Sequence, residues 1–169
     1  SSIHFKAKNM GYPVPFTAPD WAVKHDDARY FYEQGRDPSK TIHSGYWWLE
    51  IGVPWDTIYQ AEDIRHELTR HMLGVWDWIK NKDPKLKERA ANFALDWIGQ
   101  VPGKRESRRI LGRYWMTEHD PLNHTVFPDE IAFGGWFIDL HTPGGLLAAT
   151  SEPTSAENYN VMSHHTAKS

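Results

Sequence analysis

The chain contains no cysteine in 169 residues, which excludes disulfide bonds and metal sites built on thiolates. It also has no excess of positive charge, since the formal net charge is −3. A nucleic-acid partner is therefore not expected, because binding to phosphates needs basic residues that neutralise them. No apolar run approaches the roughly 20 residues that span a membrane. We expect no membrane partner, and no signal peptide is predicted.

The common cofactor and catalytic motifs are also missing. The sequence has no G-x-G-x-x-G, no Walker A motif, no zinc-binding spacing and no G-x-S-x-G. His66 and His71 are five residues apart, which is wrong for two metal ligands on one helix face. His119, Asp120 and His124 could chelate a metal from a loop, but such a loop is a weak indication. We therefore expect no metal site.

Aromatic residues are abundant. The chain has nine Trp residues, and such side chains usually pack in a core or line a pocket. With 40% apolar residues, this is enough for one domain, which we place at residues 1–150. Residues 151–169 show little pattern and are expected to form an irregular tail. Because the start already resembles a strand and the end trails off in polar residues, both ends are expected to be cuts through a longer chain or the ends of a processed product.

Apolar residues at three- and four-residue spacing predict two main helices. The first is expected from about Thr57 to Asn81. It contains Gly74, which costs about 1 kcal/mol relative to Ala and is explained by a close helix contact, a cofactor contact or simple tolerance. The second is expected to begin at Asp83 as N-cap and to end at Gly99. Its buried stripe would be Leu86, Ala90, Phe93, Ala94 and Trp97.

Alternating and bulky side chains predict the strands. Both faces of the segment 45–51 are bulky, which favours a central strand, whereas the weaker alternation at 1–8 suggests an edge strand. Two further strands are predicted at 110–117 and 136–141. The expected fold class is therefore α+β: a mixed, mostly antiparallel sheet packed by the two main helices.

The polar loop 99–109, between the second helix and a strand, is the first candidate site. Arg105, Glu106, Arg108 and Arg109 cluster in it, and a guanidinium group fits carboxylates and phosphates. In an extended segment Arg105 would face one way, and Glu106 and Arg108 the other. One face could then meet a ligand while the other pairs with the core. A plain basic turn between two elements is an equal alternative.

Two further candidates involve acid–base chemistry. Asp139 and His141 are two residues apart on a predicted strand, so they share a face, and the aspartate would orient the histidine and raise its basicity. Glu50 is flanked by Trp48 and Trp55, and burial would raise the pKa of its carboxyl group. The alternatives are two polar residues at a sheet edge, and a structural ion pair from Glu50 to an arginine.

A non-enzymatic carbohydrate-binding or structural domain is a further alternative. Trp platforms with carboxylates such as Glu50 and Asp56 suit sugars and could also support a two-acid glycosidase. Most Trp residues fall on core-facing positions of the predicted elements, however, so packing explains them more simply.

Several segments, taken together and in order, resemble the middle region of a bacterial family of FAD-dependent oxidoreductases, a group often described as xanthan-lyase-like. The similarity covers most of the chain from Ser2 to about Gly145. The segments are Gly45–Gly52, Ala61–Arg65, Gly74–Asn81, Pro102–Arg109, Phe127–Ala132 and Gly134–His141.

The resemblance implies FAD as cofactor, although the glycine-rich dinucleotide-binding segment and the second FAD-contacting segment of that family do not occur in this sequence. This chain is therefore similar to the substrate-side domain, with the rest of the flavoenzyme and a small-molecule substrate as partners. By this resemblance His141 would accept a proton and Arg105 would contact an anion or the flavin. Glu106, Arg108 and Asp139 would face substrate or cofactor. Glu50 would contact these residues and not the substrate itself.

Overall fold

The computed structural model describes residues 1–34, 36–38, 42–44, 46–104, 108–136, 144–148 and 163–168. The chain divides into two compact units. The first, unit 1, comprises Ser1–Ser107 and Thr142–Glu152, and the second, unit 2, comprises Arg108–His141 and Pro153–Ser169. Regular elements are few and short apart from one helix.

The strands of unit 1 are β1 (Phe5–Asn9) and β2 (Phe93–Ile98), and its helices are the one-turn α1 (Arg29–Tyr32) and the main helix α2 (Ala61–Asp77). A π-helical turn, Trp78–Lys82, extends α2 without a break, and Gly145–Leu147 forms a 3-10 turn. Unit 2 contains the one-turn α3 (His119–Leu122) and the strands β3 (Glu130–Trp136) and β4 (Ser163–Lys168).

The strand β1 has hydrogen-bonding neighbours on both sides. It pairs antiparallel with β2, from Phe5 opposite Ile98 to Asn9 opposite Phe93. On the other side the Ala7 amide donates to the His43 carbonyl at 3.2 Å. Among the described residues β1 pairs with one strand, so it lies at the edge of its sheet as predicted, and the segment around His43 adds a single hydrogen bond.

Helix α2 confirms the first predicted helix, with its start moved to Ala61. Its apolar residues recur every three or four positions and are buried, which packs one face against the core. Glu62 and Asp63 lie in the first turn, where negative charge complements the partial positive charge of the helix N-terminus. The buried side chains of this face include Ile64, Leu68, Met72, Val75, Trp76 and Ile79.

The second predicted helix does not form. Residues 84–92 are a series of turns, and 93–98 is the strand β2. The Lys80 ammonium group explains why the predicted helix is interrupted near its middle. It donates to the carbonyls of Ala90, Ala91 and Phe93 at 2.7 to 2.9 Å. Beyond that point the backbone pairs with β1 instead of with itself. Tertiary hydrogen bonds thus override an apolar spacing of three and four.

Two predicted strands are also replaced by irregular structure. In the segment 46–51 only Glu50 makes a strand-type bridge, to Ser2. Its aromatic and aliphatic side chains are nevertheless buried, apart from Trp47, which is 45% exposed. Residues 110–117 are exposed and form no strand. The predicted strand 136–141 begins where β3 ends, and residues 137–141 lie outside the described part of the chain.

The core of unit 1 holds charged groups that are hydrogen-bonded. Asp83 is fully buried, and its carboxylate accepts hydrogen bonds from the Tyr32 hydroxyl at 2.6 Å and the Trp78 indole nitrogen at 2.8 Å. It also accepts from the amides of Lys85 and Leu86. Four donors offset the cost of removing this carboxylate from water, so Asp83 ties α1, the π-helical turn and the turns after it together.

Unit 2 contains a loop held by Asp120 and an antiparallel pair of strands. The Asp120 carboxylate accepts from the Tyr114 hydroxyl at 2.9 Å and the Thr117 amide at 2.8 Å. The Thr117 amide holds the pKa of Asp120 below its ordinary value. Strand β3 pairs with β4, which lies within 151–169, where the sequence predicts no element. The hydrogen bonds from Tyr114 and Thr117 show that the Asp120 carboxylate stabilises its own loop.

The structure confirms an α+β fold with antiparallel strand pairs, but with one main helix instead of two. Within the residues that the structure describes, no helix is long and apolar enough to cross a membrane. In the same part of the chain, no three side chains of His, Asp or Glu form a group that could hold a metal ion.

Gly74 shows why the close-contact explanation is correct. A Cβ atom at this position would lie 2.0 Å from the Val23 carbonyl oxygen, which is backbone and cannot rotate away. We expect Gly74→Ala to destabilise the protein by about 2–4 kcal/mol, although Ala is the better helix former by about 1 kcal/mol. Urea unfolding measures this change.

Gly52→Ala is the matched control, because the nearest atom to its added Cβ is 3.9 Å away. This variant should unfold within about 0.5 kcal/mol of the wild type. A Gly74→Ala variant as stable as the wild type would contradict the contact with Val23.

Candidate functional site

The structure describes two of the six residues that the sequence singles out, Glu50 and Arg108. The other four, Arg105, Glu106, Asp139 and His141, lie outside the described residues. For the basic loop and for the 139–141 segment, the structure therefore shows only the contacts of the described residues on their flanks.

Glu50 is half-buried, and its backbone is a point of convergence in unit 1. It forms an antiparallel bridge with Ser2, and Ser2 in turn bridges Gly103. The Ser2 amide donates to the Gly103 carbonyl at 3.0 Å, and the Gly103 amide donates back at 2.8 Å. Glu50 also accepts from the Leu146 amide at 2.9 Å.

These hydrogen bonds join Gly103 and Leu146, which are described residues on the flanks of the two candidate segments, in one backbone network of unit 1. Gly103 precedes Arg105 by two residues, and Leu146 follows His141 by five. Two backbone segments lie between them, with Ser2 next to Gly103 and Glu50 next to Leu146. The backbone of Glu50 therefore holds these flanking residues in place. The sequence-based hypothesis considered only the Glu50 carboxylate and did not predict this role.

The glycine turn after His141 fits tightly against Glu50. Gly144 and Gly145 have φ angles of 96° and 58°, a region that favours glycine. A Cβ atom on Gly145 would lie 2.2 Å from the Glu50 carbonyl oxygen. Leu146 then enters the core with 3% of its surface exposed. The turn is thus held by a close backbone approach and by one buried apolar side chain.

Arg36 adds a second hold on this turn, and sequence reasoning does not identify it. Its side chain is fully buried, and Nη2 donates to the Gly145 carbonyl at 3.5 Å, a long hydrogen bond. The guanidinium group lies 4.4 Å from the centre of the Tyr30 ring and also donates to the Gln34 side chain. In the sequence Arg36 sits in a turn-like stretch before Pro38, which gives no sign of burial.

Arg108 belongs to unit 2 and is exposed. Among the described residues it makes no hydrogen bond or ion pair, so its guanidinium group is available to an anion. The residues after it, Ile110 and Leu111, are 98% and 71% exposed. This segment therefore presents charge and apolar surface together.

One cavity of about 340 Å³ lies elsewhere in unit 1, between the segment 16–24 and the end of the main helix. Part of its polar wall is engaged, since the Asn81 amide group donates to the Phe16 carbonyl and to Asp77. The two predicted site residues that the structure describes, Glu50 and Arg108, do not line it. The described lining includes Phe16, Pro19, Val23, Lys24, Asp77 and Asn81.

Comparison with known proteins gives one positive result. A model of the family described as FAD dependent oxidoreductase matches residues 2–164. No curated protein matches the chain significantly, and no solved structure does. Because the family match spans nearly the whole sequence, the chain belongs to the FAD-dependent oxidoreductase family.

Proposed function

We propose that this chain is the substrate-side domain of a FAD-dependent oxidoreductase and positions a small-molecule substrate against the flavin. Within the family we assign it to the group described as xanthan-lyase-like, as its middle region, with residues 1–150 carrying this role. The rest of the flavoenzyme is the partner. When bound, the flavin supplies the hydride chemistry, and the protein supplies binding, orientation and proton transfer.

The space beside the glycines indicates whether the described backbone could approach the diphosphate of FAD. In many dinucleotide sites glycine lets the backbone approach the diphosphate. Here the space beside Gly145 is filled by the Glu50 carbonyl, and the nearest atom to a Cβ on Gly103 is the Ser2 hydroxyl oxygen at 3.5 Å. These glycines pack against the chain itself. Arg108, exposed and without a described partner, does fit an anionic group such as the diphosphate.

The roles proposed for the side chains follow from their chemistry. His141 accepts the substrate proton, since an imidazole titrates near neutral pH, and Asp139 orients its ring. Arg105 contacts an anionic substrate group or the flavin, and Glu106 and Arg108 face substrate or cofactor.

The observation that carries the proposal is the backbone network around Glu50, which includes Gly103 and Leu146, the described residues on the flanks of the two segments. A residue spans at most about 3.6 Å of extended chain, so Arg105 is tethered within roughly 7 Å of its anchor Gly103. His141 precedes Gly144, the first residue of the glycine turn, by three positions in the sequence. None of the contacts in the described part of the chain favours the carbohydrate-binding alternative.

In the FAD-containing holoenzyme, we expect Arg105→Ala and His141→Ala each to lower turnover by about 10²-fold or more. The proposed anion contact and proton acceptor would be missing, while folding is retained. A screen of small molecules for bleaching of the flavin absorbance supplies the substrate, and urea unfolding monitors folding separately.

Arg89→Ala and His66→Gln serve as matched controls, because both residues are exposed and neither belongs to the proposed site. They should turn over like the wild type. If Arg105→Ala and His141→Ala also keep wild-type kinetics, the assignment of these two residues is wrong.

The anchoring itself is tested by Gly145→Ala. The added Cβ would meet the Glu50 carbonyl oxygen and also occupy a left-handed backbone conformation. We expect a loss of about 2–4 kcal/mol in the free energy of unfolding.

Gly11→Ala separates the two causes, since Gly11 has a φ of 78° but nothing within 4 Å of its added Cβ. It should lose only about 1 kcal/mol. Equal losses in the two variants would show that Gly145 does not need its close approach to Glu50.

A further inference from the structure

The segment 19–26, here called the strap, crosses helix α2 and is held to it by backbone contacts. The Val23 amide donates to the Arg70 carbonyl at 3.1 Å, and the Arg70 side chain donates to the Trp21 carbonyl at 3.0 Å. The strap lies so close to α2 that only Gly74 fits beneath the Val23 carbonyl. Its end is held by Lys82, which donates to the His25 carbonyl at 3.1 Å.

Two buried histidines face each other under the strap. His25 is 8% exposed and His71, on α2, is 7% exposed, and their ring centres are 6.3 Å apart. Tyr30 stacks on the other side of His25 at 4.6 Å. In the part of the chain that the structure describes, neither Nε2 of His25 nor Nδ1 of His71 has a hydrogen-bond partner. Burial lowers the pKa of both rings and so favours their neutral forms.

The charged groups around His25 oppose its protonation more than they favour it, whereas at His71 burial is what opposes protonation. Glu67 lies 3.4 Å from His71 Nε2 and favours its charged form. Arg70 and Arg36 act against it. Around His25, Lys82 and Arg36 oppose a positive charge and the Asp26 carboxylate favours one.

We propose that His25 and His71 form an acid-released latch, in which protonation of the two rings detaches the strap from α2. Two imidazolium rings 6.3 Å apart in a site with little water would repel each other. Exposure of the strap relieves this repulsion, whereas the apolar face of α2 has no such reason to open. The inference uses none of the residues assigned to the proposed oxidoreductase site and stands independently of that function.

Release of the strap would also change the cavity of about 340 Å³, because strap residues form much of its wall, among them Pro19, Val23 and Lys24. The latch thus couples pH to access at a place away from the Glu50 anchor.

The size of the effect follows from the titration of His25. Burial, with the charge of His71, lowers its pKa from 6.5 to about 4. Burial likewise lowers the pKa of His71. A lowered pKa stabilises the closed form above pH 6.5, and this stability is lost as the pH falls towards 4. By linkage, His25 alone raises the opening equilibrium about 30-fold between pH 7.5 and pH 5.

Hydrogen–deuterium exchange of the full chain, corrected for the intrinsic rate at each pH, measures this opening. We expect the amides of Ala22 and Val23 to open at least about 30-fold more at pH 5 than at pH 7.5. Amides in the middle of α2 should stay protected over the same range. In His25→Phe the rise should shrink to the contribution of His71, and in His25→Phe/His71→Phe it should vanish.

His66→Gln is the matched control, because His66 is exposed on the same helix and should leave the acid response unchanged. Asp26→Asn tests the other acid-sensitive contact, the ion pair from Asp26 to Lys82 at 2.9 Å. If Asp26→Asn opens the strap at pH 7.5 as fully as acid does, the ion pair and not the histidines is the latch, and the proposal is wrong.

Parallel opening of the strap and α2 in the wild type would also overturn the proposal, since acid would then act on the whole unit. If the phenylalanine variants do not fold, NMR titration of the wild-type histidines decides instead. The His25 ring should titrate well below 6.5, together with exposure of the strap, and titration at an ordinary pKa would contradict the latch.

Discussion

The backbone of residues 1–9 is hydrogen-bonded on both sides, and the architecture of unit 1 depends on this pairing. On one side lie β2 and Gly103, and on the other Leu49 and Ile51 bond to the first three residues. Regular structure is sparse, so these bonds set the register of segments that are 50 to 100 residues apart. Each backbone group left unpaired in the interior would cost about 1–3 kcal/mol, which favours this one arrangement.

Buried charges take over where regular structure ends. Lys80 satisfies three carbonyls at the turn before β2, and Asp83 accepts four hydrogen bonds at the end of the main helix. Arg36 lies on Tyr30 and reaches the glycine turn. In each case several partners offset the cost of desolvation. The interior is therefore held in one conformation by polar contacts that irregular backbone alone would not specify.

Two glycines show that a residue type can indicate a close backbone contact without indicating which segment makes that contact. Gly74 and Gly145 both allow another segment's carbonyl oxygen to come near, Val23 in one case and Glu50 in the other. In a flavoenzyme family, glycine-rich turns suggest cofactor contacts. Here the close partner is the chain itself, which makes these turns anchors for neighbouring segments.

The sequence by itself determined the fold class, the main helix, the first strand and the family, because these rest on apolar periodicity and on ordered segments along the chain. It also pointed to Glu50, though for its side chain and not for its backbone. Only the tertiary structure decided that 93–98 is a strand, since Lys80 and β1 compete for the hydrogen bonds a helix would use. Tertiary contacts also determine that Arg36 is buried and that the rings of His25 and His71 lie 6.3 Å apart. Such contacts join residues distant in the chain, and no local pattern encodes which distant partner will be there.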